Sequence, residues 1–167
     1  METTDVARLS ALLSGADVRS RRAPVHVTAS AFVVHLPTGR VLLRWHPRMQ
    51  QWMQVGGHFD ADETDPLGVA VREAREETGL TDLRPPDGPP GAEPVQIVIV
   101  PVPATDAEPA HAHADFRYVL VTDTPEAIVP ESPAARLRWV DLDAAIAETV
   151  EPNLLAFLAR IAVCLGR

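Results

Sequence analysis

Hydrophobic and polar positions follow two repeats along the chain, one typical of strands and one typical of helices. Residues 25–36 and 40–46 are rich in β-branched and apolar side chains, and the turn Pro37-Thr38-Gly39 between them predicts a β-hairpin. The remaining segments with strand character are 52–55, 95–102, 112–121 and 136–140. Apolar residues at helical spacing predict further helices at 4–14, at 66–78, from 142 onwards with Asp141 as its cap, and at 152–165.

The arrangement of these segments predicts the fold class. Strands outnumber helices, and the helices fall at the start, middle and end, which favours a mixed sheet between helical layers. Segment 95–102 is apolar on both faces, as in a fully buried strand. Segment 84–94 is rich in proline and glycine and forms neither a helix nor a central strand. It is either a passive connection or a lid at a binding site.

A chain of 167 residues is expected to be one domain, residues 1–167.

The helix at 66–78 has clear start and stop signals. Asp65 is placed to cap its first turn, Pro66 stands at the first helical position, and Gly79 follows its end. At about 100° per residue, the helix has an apolar stripe with charged residues on either side of it.

The carboxylates of this helix predict a metal site. Glu73, Glu76 and Glu77 fall on one flank, where like charges three and four residues apart destabilise a helix by about 0.2–0.5 kcal/mol each. A bound cation removes that cost, and hard oxygen ligands favour Mg²⁺ or Mn²⁺. The alternative is a charged surface helix in which Arg72 and Glu76 form a supporting pair.

The segment from Gly57 to Leu80 resembles the signature of the Nudix hydrolases, which cleave nucleoside diphosphates linked to another moiety. Its C-terminal half, Arg-Glu-Ala-Arg-Glu-Glu-Thr-Gly-Leu from Arg72 onwards, matches at every fixed position. The N-terminal half differs at two points. Eight residues instead of seven separate Glu63 from Arg72, and Val55 stands where many members have proline.

The resemblance implies a fold and a site. It implies a Nudix-like α/β/α sandwich with a mixed central β-sheet, whose core covers about residues 25–147, and often a homodimer. It implies that the glutamates of the helix bind Mg²⁺ or Mn²⁺ and are catalytic, and that the carbonyl of Gly56 completes the metal shell. Gly57 and Gly79 occupy structural positions of the motif. Arg72 is expected to pair with Glu63, or, because of the longer loop, Glu63 is an exposed acid.

The general base varies among members of this family. Glu76 or Glu77 within the motif, or Glu126 or Glu131 in a later proline-bounded segment, are the candidates here. The two later glutamates are also of the kind found in solvated loops.

Candidate substrate-binding residues lie on one predicted strand and near the glycines. Alternation places His111, His113, Asp115 and Arg117 on one strand face, which we expect to face the cleft between the sheet and the motif helix. Arg117 would then bind phosphate, with histidines in support. The alternative is a solvated face.

The other aromatic and imidazole side chains carry less information. Trp52 is either a stacking platform for a nucleobase or a core residue, and His58 is either a phosphate contact or a packing residue. His26, His35 and His46 have no recognisable metal-ligand spacing and are assigned no role.

Charge and composition narrow the function classes. A net charge of −8 argues against duplex nucleic acid and anionic membranes as partners. The expected partner is therefore a small-molecule diphosphate or nucleotide. All 15 basic residues are arginine, which excludes a lysine nucleophile. No targeting signal or membrane-spanning run stands out, so we expect a cytoplasmic protein.

Two further function classes have to be weighed against a hydrolase. A non-catalytic Nudix-fold domain that senses nucleotides would be expected to lose motif carboxylates, and all three are present. An isomerase of prenyl diphosphates would need a reactive cysteine in the site, whereas Cys164 lies in a predicted core helix.

Overall fold

The structure is a computed structural model that describes residues 18–106 and 108–166, apart from the side chain of Cys164. The helix predicted at 4–14 lies outside the described residues. The strands are β1 (Val25–His35), β2 (Arg40–His46), β3 (Gln51–Met53), β4 (Val55–His58), β5 (Gln96–Val102), β6 (His111–Val121) and β7 (Leu137–Asp141). The helices are α1 (Pro66–Thr78), α2 (Leu142–Glu148) and α3 (Pro152–Cys164).

The seven strands form one mixed sheet centred on β1. Its order is β3-β2-β1-β6-β5, and β4 and β7 pair with β1 and β2 outside this path. Strands β1 and β6 are parallel over ten residue pairs, and the other pairings are antiparallel. The first half of β1 pairs with β4 and its second half with β2. As a result, β4 carries the two glycines directly beside the central strand.

The sheet separates two hydrophobic cores. On one face Ala29, Ala31 and Val33 of β1 pack with Val69 and Ala70 of α1. On the other face Phe32 and Val34 pack with residues of α2 and α3. Strand alternation explains this division, because successive side chains of β1 point to opposite faces. The predicted α/β/α sandwich with a mixed sheet is therefore confirmed.

Helix α1 forms where the sequence signals place it. Asp65 accepts hydrogen bonds from the backbone N–H groups of Leu67 and Gly68, and Pro66 is the first helical residue. Gly79 adopts a left-handed φ of 72° at the C-cap. A Cβ there would lie 2.9 Å from the side chain of Val129, so both conformation and space favour glycine.

Two predictions about strands are wrong in detail. The glycines do not form a loop after one strand at 52–55. The strand is interrupted at Gln54, and Gly56 and Gly57 lie inside the next strand, β4. Segment 95–102 is not buried on both faces, since β5 is an edge strand and Ile99 is exposed. Along the described part of the chain, no helix is long and apolar enough to cross a membrane.

Candidate active site

The three motif carboxylates differ in depth. The side chains of Glu73 and Glu77 are 16% and 12% exposed, whereas that of Glu76 is 58% exposed. Burial raises the pKa of Glu73 above its usual range, against the opposing effect of Arg72. Two of the carboxylates are therefore largely shielded from solvent, and the third is open to it.

Glu77 is held between β4 and β2. Its Oε2 accepts a hydrogen bond of 3.0 Å from the backbone N–H of Gly56. Its Oε1 lies 3.2 Å from Nε of Arg44, an ion pair without the alignment of a hydrogen bond. Burial raises the pKa of Glu77 to about 7, although Arg44 and the Gly56 amide act in the opposite direction. This carboxylate is therefore costly to ionise unless a further cation lies beside it.

Arg44 was not singled out by the sequence. It connects Glu77 to Glu131, with which its guanidinium forms a second ion pair. Of the two general-base candidates outside the motif, Glu131 thus lies beside the carboxylate cluster. Glu126 is an exposed residue of the 3₁₀ turn Pro125–Ala127.

Arg72 joins the longer loop to the helix. Its Nε and one terminal nitrogen each donate a 2.8 Å hydrogen bond to Glu63, which makes a bidentate pair. Further bonds reach the carbonyl of His58, and the carboxylates of Glu73 and Glu76. The hydrogen bond from Arg72 holds the pKa of Glu63 below its usual range. The predicted pair between Glu63 and Arg72 is confirmed, and so is the supporting pair between Arg72 and Glu76.

The extra loop residue does not prevent this pairing. The backbone N–H of Asp60 donates to Oε2 of Glu63 at 2.8 Å, and the N–H of Glu63 donates to the carbonyl of Asp60 at 3.1 Å. These two hydrogen bonds form a short turn between Asp60 and Glu63, and this turn directs the Glu63 carboxylate towards α1.

The two glycines leave no room for side chains. At Gly56 (φ 147°) a Cβ would lie 2.5 Å from the carbonyl oxygen of Ala29 and from Cα of Ser30. At Gly57 a Cβ would lie 2.5 Å from the carboxylate of Glu73. The glycines thus allow β4 to pair with β1 while the carboxylate of Glu73 packs directly against the backbone.

This arrangement fits a hard divalent cation. Carboxylate oxygens lie directly against the backbone of the two glycines. Among the described residues, Arg44 is the only cationic side chain close to the buried carboxylate of Glu77. Oxygen ligands in a partly hydrated site suit Mg²⁺ or Mn²⁺. The role of the Gly56 carbonyl stays a prediction, because the bond seen at Gly56 is made by its N–H.

The predicted direction of the polar residues of β6 is wrong. Arg117 is buried and donates to Asp115 at 2.9 Å, to Gln96 at 3.1 Å and to the carbonyl of Asn153 at 3.1 Å. Its guanidinium also lies over the ring of Phe157, at 5.9 Å from the centroid. This face of β6 packs on α3, and it is the opposite face that meets α1. Alternation showed which residues share a face, but it cannot show which helix covers that face.

Four imidazoles meet on the α3 side of the sheet. His26, His58, His111 and His113 form a cluster in which five ring pairs have centroids 4.8 to 5.1 Å apart. Burial lowers the pKa of both His58 and His113 to about 4. His26 was assigned no role from the sequence, because its neighbours come from other strands far along the chain.

Trp52 packs at the edge of the sheet. Its ring meets that of Trp45 at 5.5 Å, edge to face, and the guanidinium of Arg138 lies 4.2 Å from its centroid. Trp45 and Trp52 border a cavity of about 220 Å³ between β2, β3 and the end of α2. The partly buried ring also packs against the core on the α3 side. A role in stacking on a substrate stays a prediction.

Comparison with known proteins agrees with the geometry. The model of the NUDIX domain family matches residues 24–161. A probable DHNTP pyrophosphohydrolase of Lactococcus lactis subsp. cremoris is 33% identical over 88 residues, which cover 53% of this chain and 50% of that protein. The chain therefore spans about half the length of this curated relative.

Solved structures show the same fold. A hydrolase of the NUDIX family from Clostridium perfringens is 26% identical, with a TM-score of 0.63 and coverage of 85% of this chain and 98% of that one. The dihydroneopterin triphosphate pyrophosphohydrolase of E. coli is 18% identical, with a TM-score of 0.60 and coverage of 85% and 97%, a likeness that shows the fold alone. The family match covers most of the chain, including the helix and its carboxylates, so the chain belongs to the Nudix hydrolase family.

Proposed function

We propose that the protein is a metal-dependent hydrolase that cleaves a diphosphate linkage in a nucleoside diphosphate linked to another moiety, or in a related small-molecule diphosphate. The observation that carries this proposal is the set of three glutamates on one flank of α1, in which partly buried Glu73 lies against Gly57, buried Glu77 bonds to Gly56 and exposed Glu76 is tied to them through Arg72. The pyrophosphohydrolase of Lactococcus lactis, which is 33% identical over 88 residues, supports the same reaction class.

A diphosphate presents several negative oxygens, which repel a nucleophile. Catalysis therefore requires neutralised charge and a correctly placed water. Mg²⁺ or Mn²⁺, when bound, would neutralise phosphate oxygens and lower the pKa of a coordinated water. In this proposal Glu73, Glu76 and Glu77 hold the cation, and Arg72 fixes Glu73 and Glu76 relative to the loop.

The remaining charges suggest how the proton is removed. Arg44 places Glu131 beside Glu77, so Glu131 is better positioned to accept a proton than Glu126. The partly exposed carboxylate of Glu131 is reachable by water. Within the motif, Glu76 is the most exposed carboxylate and the alternative base.

The test is a panel of small-molecule diphosphates with Mg²⁺, read by phosphate release, followed by variants on the best substrate. Glu76→Gln and Glu77→Gln are each expected to lower kcat/KM by about 100-fold or more, because each removes a charge that acts on the metal. Thermal stability without metal should stay the same or rise for Glu77→Gln, since a neutral amide is less costly to bury.

Asp143→Asn is the matched control, because Asp143 is an exposed acid in the first turn of α2 on the other side of the sheet. It should keep wild-type kinetics. Wild-type turnover in both glutamate variants would show that the catalytic assignment is wrong. Tight nucleotide binding without turnover of any diphosphate would favour a sensing domain instead.

A further inference from the structure

A second cluster of potential metal ligands lies on the sheet face away from α1. His26 of β1, His58 of β4 and His113 of β6 come from three neighbouring strands, and β1 pairs with both of the others. His26 is the direct partner of His113 in the register, and His58 pairs with Thr28, two residues further along β1. Side chains two apart on a strand share a face, so the three imidazoles converge.

The distances between the ring nitrogens match a coordination site. One nitrogen from each of the three imidazoles lies within 4.8 Å of the others, and the Nε2 atoms of His26 and His58 are 3.1 Å apart. Two ligands of a tetrahedral zinc ion with bonds of about 2.0–2.1 Å are expected to be about 3.3 Å apart. Only small side-chain movements are needed to bring the three nitrogens to such distances.

His26 is already oriented for this role. Its Nδ1 lies 3.0 Å from the carbonyl oxygen of Ala23, so a proton on Nδ1 leaves the lone pair of Nε2 directed into the cluster. Metal-binding histidines are commonly fixed in this way by a carbonyl acceptor on the second nitrogen. His111 shows the same arrangement, with Nδ1 2.9 Å from the carbonyl oxygen of Pro109, and its ring stacks on His26.

One nitrogen of the cluster lacks a partner. Nε2 of His113 is buried and has no hydrogen-bond partner among the described residues. A buried polar atom without a partner costs about 1–3 kcal/mol, and a metal bond would remove that cost. Asp115 follows on the same face of β6 and supplies a fixed negative charge close to His58 and His113.

We propose that His26, His58 and His113 bind one transition-metal ion, with Zn²⁺ as the best match. Imidazole nitrogens suit Zn²⁺, whereas Mg²⁺ prefers oxygen ligands. The site is therefore chemically distinct from the glutamate cluster, and it lies on the other side of the sheet. His111 stands beside it, and a fourth ligand would come from that ring or from water. Because all three ligands stand on paired strands, the site is held rigidly.

The experiment uses the full chain, stripped of metal with a chelator and returned to buffer with excess Mg²⁺. Mg²⁺ occupies oxygen sites and competes weakly for imidazoles, so Zn²⁺ titrated by calorimetry reports the histidine cluster. We expect one Zn²⁺ per chain, bound with a Kd below about 1 μM. Co²⁺ in place of Zn²⁺ should give the visible absorption bands of a four-coordinate nitrogen site.

Variants separate this site from the glutamates. His113→Ala and His58→Asn, which change partly exposed side chains, should each weaken Zn²⁺ binding by about 100-fold or more and remove the Co²⁺ bands. His35→Ala is the matched control, since His35 is paired with Thr38 at the far end of β1. Glu77→Gln should bind Zn²⁺ like the wild type.

The proposal is overturned by any of three results. One is wild-type affinity weaker than about 100 μM in calorimetry. A second is unchanged Zn²⁺ binding in folded His113→Ala and His58→Asn, with circular dichroism confirming the fold. The third is loss of binding in Glu77→Gln alone, which would move the ion to the carboxylates. None of these outcomes depends on hydrolysis, so the proposed function and this site can fail separately.

Discussion

Arg72 shows how a single residue organises the site. Its guanidinium holds the loop through Glu63 and the His58 carbonyl, and it holds the helix carboxylates through Glu73 and Glu76. Neither Arg72 nor Glu63 is fully buried, so solvent screens part of each charge. The bidentate geometry nevertheless restricts both side chains to one arrangement.

The first residue-scale prediction concerns Glu63→Ala. We expect this change to lower the free energy of unfolding by about 1 kcal/mol or more, because Arg72 would keep its partly buried position with its best partner removed. Equilibrium denaturation measures the effect. Asp62→Ala, at the exposed neighbour in the same loop, should change stability by less than about 0.5 kcal/mol. Equal effects of the two changes would contradict the structural role of the pair.

Some residues of the site could be predicted from the sequence and others could not. Glu73, Glu76 and Glu77 stand on one helix, so helical periodicity alone brings them together. Arg44 and Glu131 reach Glu77 through strand pairing and a later loop, and no local pattern indicates such contacts. His26 was missed for the same reason, since the residues it meets are 32 and 87 positions away.

Strand β4 is the element that joins the sheet to helix α1. It pairs with β1 through Gly56 and Gly57, while α1 packs directly against it through Glu73 and Glu77. The sequence predicted a glycine loop here. The pairing partner of a four-residue segment with two glycines depends on the whole sheet, so the segment by itself did not indicate a strand.

The element-scale prediction for β4 is that Gly57→Ala lowers kcat/KM by about tenfold or more, because its Cβ would displace the Glu73 carboxylate, which the proposed function makes a metal ligand. Stability should change little, since the obstructed atoms belong to the end of a side chain. Gly88→Ala adds a Cβ with no atom within 4 Å and should match the wild type. Undiminished activity of Gly57→Ala would mean that Glu73 does not need its observed position.

A buried ion pair within β6, between Asp115 and Arg117, is connected by Arg117 to helix α3. Asp115 accepts hydrogen bonds from Thr28, Ser30 and Arg117, and Arg117 in turn donates to the carbonyl of Asn153. The sequence predicts that the guanidinium of Arg117 binds phosphate. Three donations to protein atoms instead favour a role in holding α3 on the sheet.

Arg117→Ala is therefore predicted to destabilise the protein by about 3–5 kcal/mol, because Asp115 would remain buried without its charged partner. Thermal and denaturant unfolding measure this loss. Arg160→Ala is the control, since exposed Arg160 bonds only to the carbonyl of Val95 among residues 18–106 and 108–166, and its loss should cost less than about 1 kcal/mol. A stable Arg117→Ala protein with a raised KM would instead support phosphate binding.

At the scale of the whole molecule, the sheet separates a cluster of carboxylates from a cluster of imidazoles. Carboxylate oxygens collect on the side of α1, and imidazole nitrogens collect on the other side. The chain carries a net charge of −8, so a polyanionic substrate is repelled by the protein as a whole. Under the proposed function, cations bound at Glu73, Glu76 and Glu77 would offset this repulsion and orient the substrate.

The final prediction concerns the bond that such a site would break. Because a cation held by the glutamates would bind phosphate oxygens and a water together, the attacking water should reach phosphorus and not the carbon of the linked group. Hydrolysis in ¹⁸O-labelled water should place the label on a phosphate-terminated product, as read by mass spectrometry, and a chelator should stop the reaction until Mg²⁺ is restored. A reaction without enzyme provides the control for exchange. Label on carbon would mean that the helix carboxylates serve a different reaction from the one proposed.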